Sequence, residues 1–261
     1  MGVLSPEFLI GWGLSTKGST MEGFPKVPPG WGDDSLSKFI QDTTENTYAT
    51  FHNLKEWYNR LREIHASFNV ATQNMDRTQD WFASLFLVRA HSAYLAGVRL
   101  ALSGQVPEAY MVLRGSLECA LYGLHTARKP LVRETWLRRD EGNITMQKVK
   151  QEFKISTVLQ TLKSEDQELH KIAWDLYERA IGYGGHPNQP AFLSVMKQQS
   201  DESKTTFQSA YITGNEDALH LCLKSCAQIG TCVLSIFRMV FRERFDILGI
   251  SGNLENMKRG I

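Results

Sequence analysis

The sequence predicts an all-α protein, an antiparallel bundle of long helices with shorter flanking helices. Two observations carry this. Apolar residues recur every three or four positions over long stretches, the period of one helix face. Those stretches are separated by short turns rich in Gly, Pro and Asn, and short turns make consecutive helices antiparallel neighbours. No internal repeat and no low-complexity tract interrupts the pattern.

Residues 1–33 are rich in glycine and proline, from Gly2 to Gly32, and hold no helical period. They read as an N-terminal arm, with Trp12, Phe24 and Trp31 as candidate anchors to the body or to a partner. Asp34 or Ser35 caps a helix running to about Ser67, with Phe51, Leu54, Tyr58 and Leu61 on its apolar face. Asp76 or Thr78 starts the next, to about Ser103. It is apolar nearly all round from Trp81 to Leu100, which places it at the centre of the fold. Gly104 stops it. Val106–Pro107 opens a third helix, to about Ala127, because proline is tolerated in a first turn.

Shorter helices are expected at about Pro130–Arg139 and Thr145–Leu162, and from a Ser164/Gln167 capping box to about Ile181. Gly182, Gly184 and Gly185 break the last of these. A short helix follows from about Pro190 to Gln198. Residues 199–214 read as a polar loop, with a brief extended piece at Phe207–Ile212. Asn215 caps the last long helix, to about Phe245. Its Cys222, Cys226, Ile229, Val233, Ile236 and Val240 alternate in spacings of three and four. That row is a packing seam, either against the core or against a second copy. The helical domain is assigned to residues 34–249, with 250–261 as a C-terminal tail.

Composition narrows the function classes. Hydrophobic residues make up 42% and charged residues 22% of the 261, ordinary for a folded globular chain. With 29 basic and 28 acidic residues the net charge is +1, so no overall field draws nucleic acid or an anionic membrane. The start of the chain lacks a signal-peptide pattern, and the most apolar stretch, Trp81–Leu102, carries Arg89, His91 and Arg99. No membrane partner is expected. Cys119, Cys222, Cys226 and Cys232 form no CxxC pair, so they read as reduced core thiols, and the expected compartment is the cytoplasm. No His/Cys partners complete a metal site around Cys222 and Cys226, and no metal is expected. Phosphate-loop, dinucleotide, zinc-protease and serine-hydrolase motifs are missing, and no cofactor is expected.

The informative residues are charges set in apolar helices. Arg114 and Glu118 are four apart on one face, and His125 continues it. Arg89 and His91 sit in the middle of the central helix. Arg89, Arg114, Glu118 and His125 are candidate ligands for a small anion if they converge, and structural ion pairs if they do not. Arg238, Arg242 and Arg244 suit the negative end of the last helix and are also able to contact phosphate.

A second cluster is Arg179-Ala-Ile-Gly-Tyr-Gly-Gly-His186-Pro-Asn. Arg179 ends a helix, and His186 follows a glycine turn able to fold it back. An arginine supplies a permanent charge for a phosphate oxygen, and a histidine moves protons near neutral pH. This Arg-x6-His pattern on an all-helical background resembles the HEPN superfamily, and the Gly-His-Pro-Asn segment is similar to that of helical proteins from bacterial prophage and defence islands. Bacterial HEPN members are often RNases of toxin–antitoxin and phage-defence systems, with the active site at a dimer interface. The resemblance implies a metal-independent RNase, a homodimer and RNA as partner, with Arg179 holding phosphate and His186 as acid/base. In that family the residue after the Arg is usually polar, whereas here it is Ala180. The alternatives open at this point are a non-catalytic module that binds itself or a protein partner, and a bundle that binds a small anionic ligand.

Overall fold

Helices α3 (Trp81–Leu102) and α4 (Val106–Arg128) pack antiparallel and form the centre of a helical assembly. The computed structural model describes residues 27–185, 196–201, 204–214 and 216–259. Before the central pair come α1 (Ser35–Asn53) and α2 (Lys55–Gln73). After it come α5 (Pro130–Leu137), α6 (Asn143–Glu152), α7 (Ile155–Glu165) and α8 (Gln167–Ala180). A π-helical turn, Ile181–Gly185, extends α8. Strands β1 (Met196–Asp201) and β2 (Lys204–Ser209) form one antiparallel hairpin, Met196 opposite Ser209. The chain ends in α9 (Asp217–Val240), α10 (Arg242–Ile247) and α11 (Ile250–Met257).

The all-α expectation holds, with the hairpin as an addition. Met196–Gln198, expected to close a short helix, are strand, and the expected loop that follows is mostly hairpin. Met196 and Phe207 are the only apolar residues in the two strands, so no period-two pattern announces it. Residues 186–195, including most of the expected Pro190–Gln198 helix, lie outside the described residues, as do Asn215, Trp12 and Phe24. Trp31 lies in the turn before α1 and is 40% exposed.

Local chemistry accounts for the helix starts. The Asp34 carboxylate accepts the Leu36 and Ser37 backbone N–H groups at 2.8 and 2.9 Å, a standard N-cap. Asp166 caps α8 the same way, accepting from Leu169 N at 2.8 Å. The Ser164/Gln167 capping box does not form: Ser164 belongs to α7 and donates back to the Thr161 carbonyl. Three helices expected to be continuous are broken, at Leu54, at Phe153–Lys154 and at Phe241. At each break the cap residue is a buried apolar side chain, so the chain changes direction while Leu54, Phe153 or Phe241 stays in the core. Beyond Gly249, which adopts a φ of +71°, the expected tail forms α11 and buries Ile250 and Leu254.

Helix α9 is the third central element. It packs on α2, α3, α4, α8 and α11, and Cys222, Cys226, Ile229, Val233 and Ile236 are all buried. The spacing seam is therefore interior packing and not a surface for a second copy. Tyr110 meets Ser225, and Gly123 meets Phe237, a constant offset that sets α9 parallel to α4 and antiparallel to α3. Both α3 and α9 are long and apolar enough to cross a membrane by length and composition. Yet 50% and 78% of their most apolar windows are buried inside the fold, as core helices require. Among the described residues the four cysteines are free thiols and no group of His, Cys, Asp and Glu is placed to hold a metal.

Candidate functional site

Arg179 stands on the last turn of α8, half-buried, on the flank that faces α9. Its Nη1 donates to Gln228 Oε1 at 2.6 Å and to Ser225 Oγ at 3.2 Å. Ser225 is fully buried and shares a second hydrogen bond, 3.0 Å, with the Tyr110 hydroxyl of α4. Burial pushes the Tyr110 phenol well up, so it stays protonated and holds its place in the chain of hydrogen bonds. The clamp uses one guanidinium nitrogen. Nη2 and Nε have no partner among the described residues.

The π-turn is seated against the same wall. The Tyr183 ring stacks on Tyr110 with centroids 5.3 Å apart. Gly184 lies so close to α4 that a Cβ there would come within 2.9 Å of Met111 N and overlap the Pro107 carbonyl oxygen. Only glycine permits that approach. π-turns of this kind recur at functional sites. The chain from this turn leads into His186, which lies outside the described residues.

The other expected cluster divides. Arg114 Nε lies 3.3 Å from Glu118 Oε1, so the i, i+4 pair forms, half-buried on α4. The structure adds Tyr177 from α8, whose hydroxyl donates to the same Oε1 at 3.2 Å. Burial and then the Glu118 charge push the Tyr177 phenol up to about 12, so it is a donor at neutral pH. Arg89 is exposed on α3, where its charge faces Cys119; burial nevertheless raises that thiol to about 11. His125 turns inward, its Nδ1 2.7 Å from Thr161 Oγ1 on α7 and its Nε2 4.0 Å from a Glu152 oxygen. Burial and then Lys129 lower His125 to about 4, so this contact is not an ion pair at neutral pH. Arg114 and Glu118 thus meet each other and Tyr177, whereas Arg89 and His125 go elsewhere.

The clamp residues Ser225, Gln228 and Tyr110 were not singled out from the sequence. A weak signal existed: Ser225 and Gln228 are polar residues in the middle of a mostly apolar helix, as Lys224 and Thr231 also are. Nothing in the spacing ties them to Arg179, which is 46 and 49 residues away in the chain. Comparisons with family models, curated proteins and solved structures return no match.

Proposed function

We propose that the protein is a HEPN-like, metal-independent RNase, with Arg179 holding the scissile phosphate and His186 moving the proton. The observation that carries this reading is the clamp on Arg179. A guanidinium fixed through one nitrogen, with Nε and Nη2 left over, is pre-organised for two phosphate oxygens. In this reading the 2′-oxygen attacks phosphorus as His186 takes its proton, a 2′,3′-cyclic phosphate forms, and the P–O5′ bond breaks with the 5′-oxygen taking a proton from water. The partner is RNA, and a second copy of the chain completes the site as in the family it resembles. A bacterial defence or toxin role and a cytoplasmic setting belong to the same proposal.

The test is cleavage of a labelled mixed-sequence RNA by the full chain in EDTA. Arg179→Ala is expected to lower kcat/KM by about 10²-fold or more, the usual effect of removing a transition-state donor. His186→Ala is expected to abolish cleavage. Gln228→Ala loosens the clamp without touching substrate and should lower kcat about tenfold with little change in KM. A wild-type protein that leaves RNA intact as a dimer sinks the proposal.

One observation favours a second reading, a non-catalytic helical module that binds itself or a protein partner. Helix α1 leaves Leu36, Ile40, Tyr48 and Phe51 exposed within about one third of its circumference. Large apolar side chains in a row on the surface mark interaction sites. Under this reading Leu36→Glu with Ile40→Glu lowers the sedimentation-derived mass or abolishes partner capture, and RNA cleavage is absent in every variant.

A further inference from the structure

The three arginines at the end of α9 have separate fates. Arg238 pairs with Glu255 at 3.6 Å. Arg244 donates through Nη1 to the Asp76 carbonyl at 3.0 Å and to the Asn74 carbonyl, tying the α2–α3 loop across to α10. Arg242 is exposed and has no partner among the described residues. The loop and the α9–α10 elbow border an open cleft of about 670 Å³ lined by Arg242, Arg244 and Arg77.

Arg77 carries the second observation. It has a φ of +53°, and it is the one non-glycine residue in the left-handed region among the described residues. That conformation suits glycine or asparagine and strains any residue with a long side chain. The Arg244 tie holds the carbonyls on either side of Met75 and so fixes the backbone leading into it. The Arg77 side chain, exposed and without a partner among the described residues, lines the same cleft as Arg242. Strain kept at a cleft-lining cation points from geometry to use.

We infer that this cleft binds a nucleoside monophosphate, with Arg77 and Arg242 taking the phosphate. Two unengaged guanidinium forks lining one cleft offer donors that suit the oxygens of a phosphate dianion. Asp80 and Glu243 line the same cleft and supply acceptors for sugar hydroxyls. Ile247 and Leu248 give it an apolar side against which a base lies. The volume falls within the range of small-molecule sites. Arg242 also borders a neighbouring cleft, where Arg128 is already engaged by Glu165 at 2.8 Å. The inference stands apart from the Arg179 site and does not depend on RNA being cleaved there.

The phosphate is either free, on a mononucleotide, or at the 5′ end of an RNA. Calorimetric titration of the full chain with adenosine 5′-monophosphate is the experiment, with adenosine, inorganic phosphate and a 5′-phosphorylated oligoribonucleotide as further arms. Adenosine 5′-monophosphate is expected to bind with a Kd below about 1 mM, and adenosine and phosphate each at least about tenfold more weakly. An oligonucleotide that binds more tightly than the mononucleotide assigns the site to RNA ends; equal or weaker binding assigns it to the free nucleotide. Arg242→Ala and Arg77→Gly should each weaken binding by about tenfold or more, the loss of a charged hydrogen-bond pair. Arg77→Gly relieves the backbone and should melt no lower than wild type, which separates lost binding from lost folding. No heat with adenosine 5′-monophosphate, or unchanged affinity in both variants, overturns the inference.

Discussion

Replacing Gly104 with alanine is expected to destabilise the fold by about 3 kcal/mol, read as a lowered denaturant midpoint at constant slope. Gly104 makes the turn between α3 and α4 with a φ of +83°. A Cβ there would overlap the Thr213 carbonyl oxygen and come within 2.5 Å of Asn46 Nδ2. These are the atoms of a three-way tie. Thr213 N donates to the Gly104 carbonyl at 2.8 Å, and Asn46 Nδ2 donates to the Ser103 and Thr213 carbonyls at 3.0 and 3.3 Å. The tie joins α1, the central turn and the segment that leads into α9. Alanine would add left-handed strain of about 1–2 kcal/mol and break hydrogen bonds on buried backbone groups at about 1–3 kcal/mol.

Gly115→Ala supplies the contrast. Among the described residues no atom beyond its own helical turns lies within 4 Å of a Cβ there, and the residue is inside α4. The change should stabilise by about 0.5–1 kcal/mol, because glycine in a helix interior gives up more backbone freedom than alanine. Equal effects at the two positions would mean that the tie carries no stability.

Gly104 also marks what the sequence reveals. Glycine as a helix stop is legible, because its chemistry is local, and so are Pro107 in a first turn and the carboxylate cap at Asp34. The breaks at Leu54, Phe153 and Phe241 are not legible. Each places an ordinary apolar residue at a cap, and what decides the bend is where the core lies, a tertiary fact that overrides local preference. The same division holds at the candidate site. Arg179 stands out in the sequence as a charge before a glycine turn. Its orientation depends on Ser225 and Gln228, brought in from a helix far along the chain, and Tyr177 joins Glu118 by the same long-range packing. Arg89, Arg114, Glu118 and His125 look alike as embedded charges in a linear reading. Only the rotation of each helix about its axis separates an exposed Arg89 from a fully buried His125.

That buried histidine, together with His91, makes acid the condition to which the fold is most sensitive. His91 is 3% exposed, stacks on Phe68 with centroids 5.0 Å apart, and shares a 3.0 Å hydrogen bond between its Nε2 and His65 Nδ1. Two imidazoles joined this way need one nitrogen as donor and the other as acceptor, which double protonation removes. Burial, and then the neighbouring His65, lower His91 to about 4; burial and Lys129 do the same to His125. In the unfolded chain both titrate near 6.5. Between those values the unfolded state binds more protons than the folded one, so stability is complete above about pH 6.5 and falls as pH drops toward 4. A shift of that size is worth about 3 kcal/mol for each histidine, against a typical total of about 5–15 kcal/mol. Denaturant unfolding from pH 7.5 to 4.5 should therefore show a steep loss, with uptake of at least about two protons near pH 5, because burial lowers His65 as well. His125→Gln, which keeps a polar group for Thr161 but cannot ionise, should cut that uptake by about one. A stability that stays flat between pH 7 and 5 would place both imidazoles in contact with water and remove them from the core.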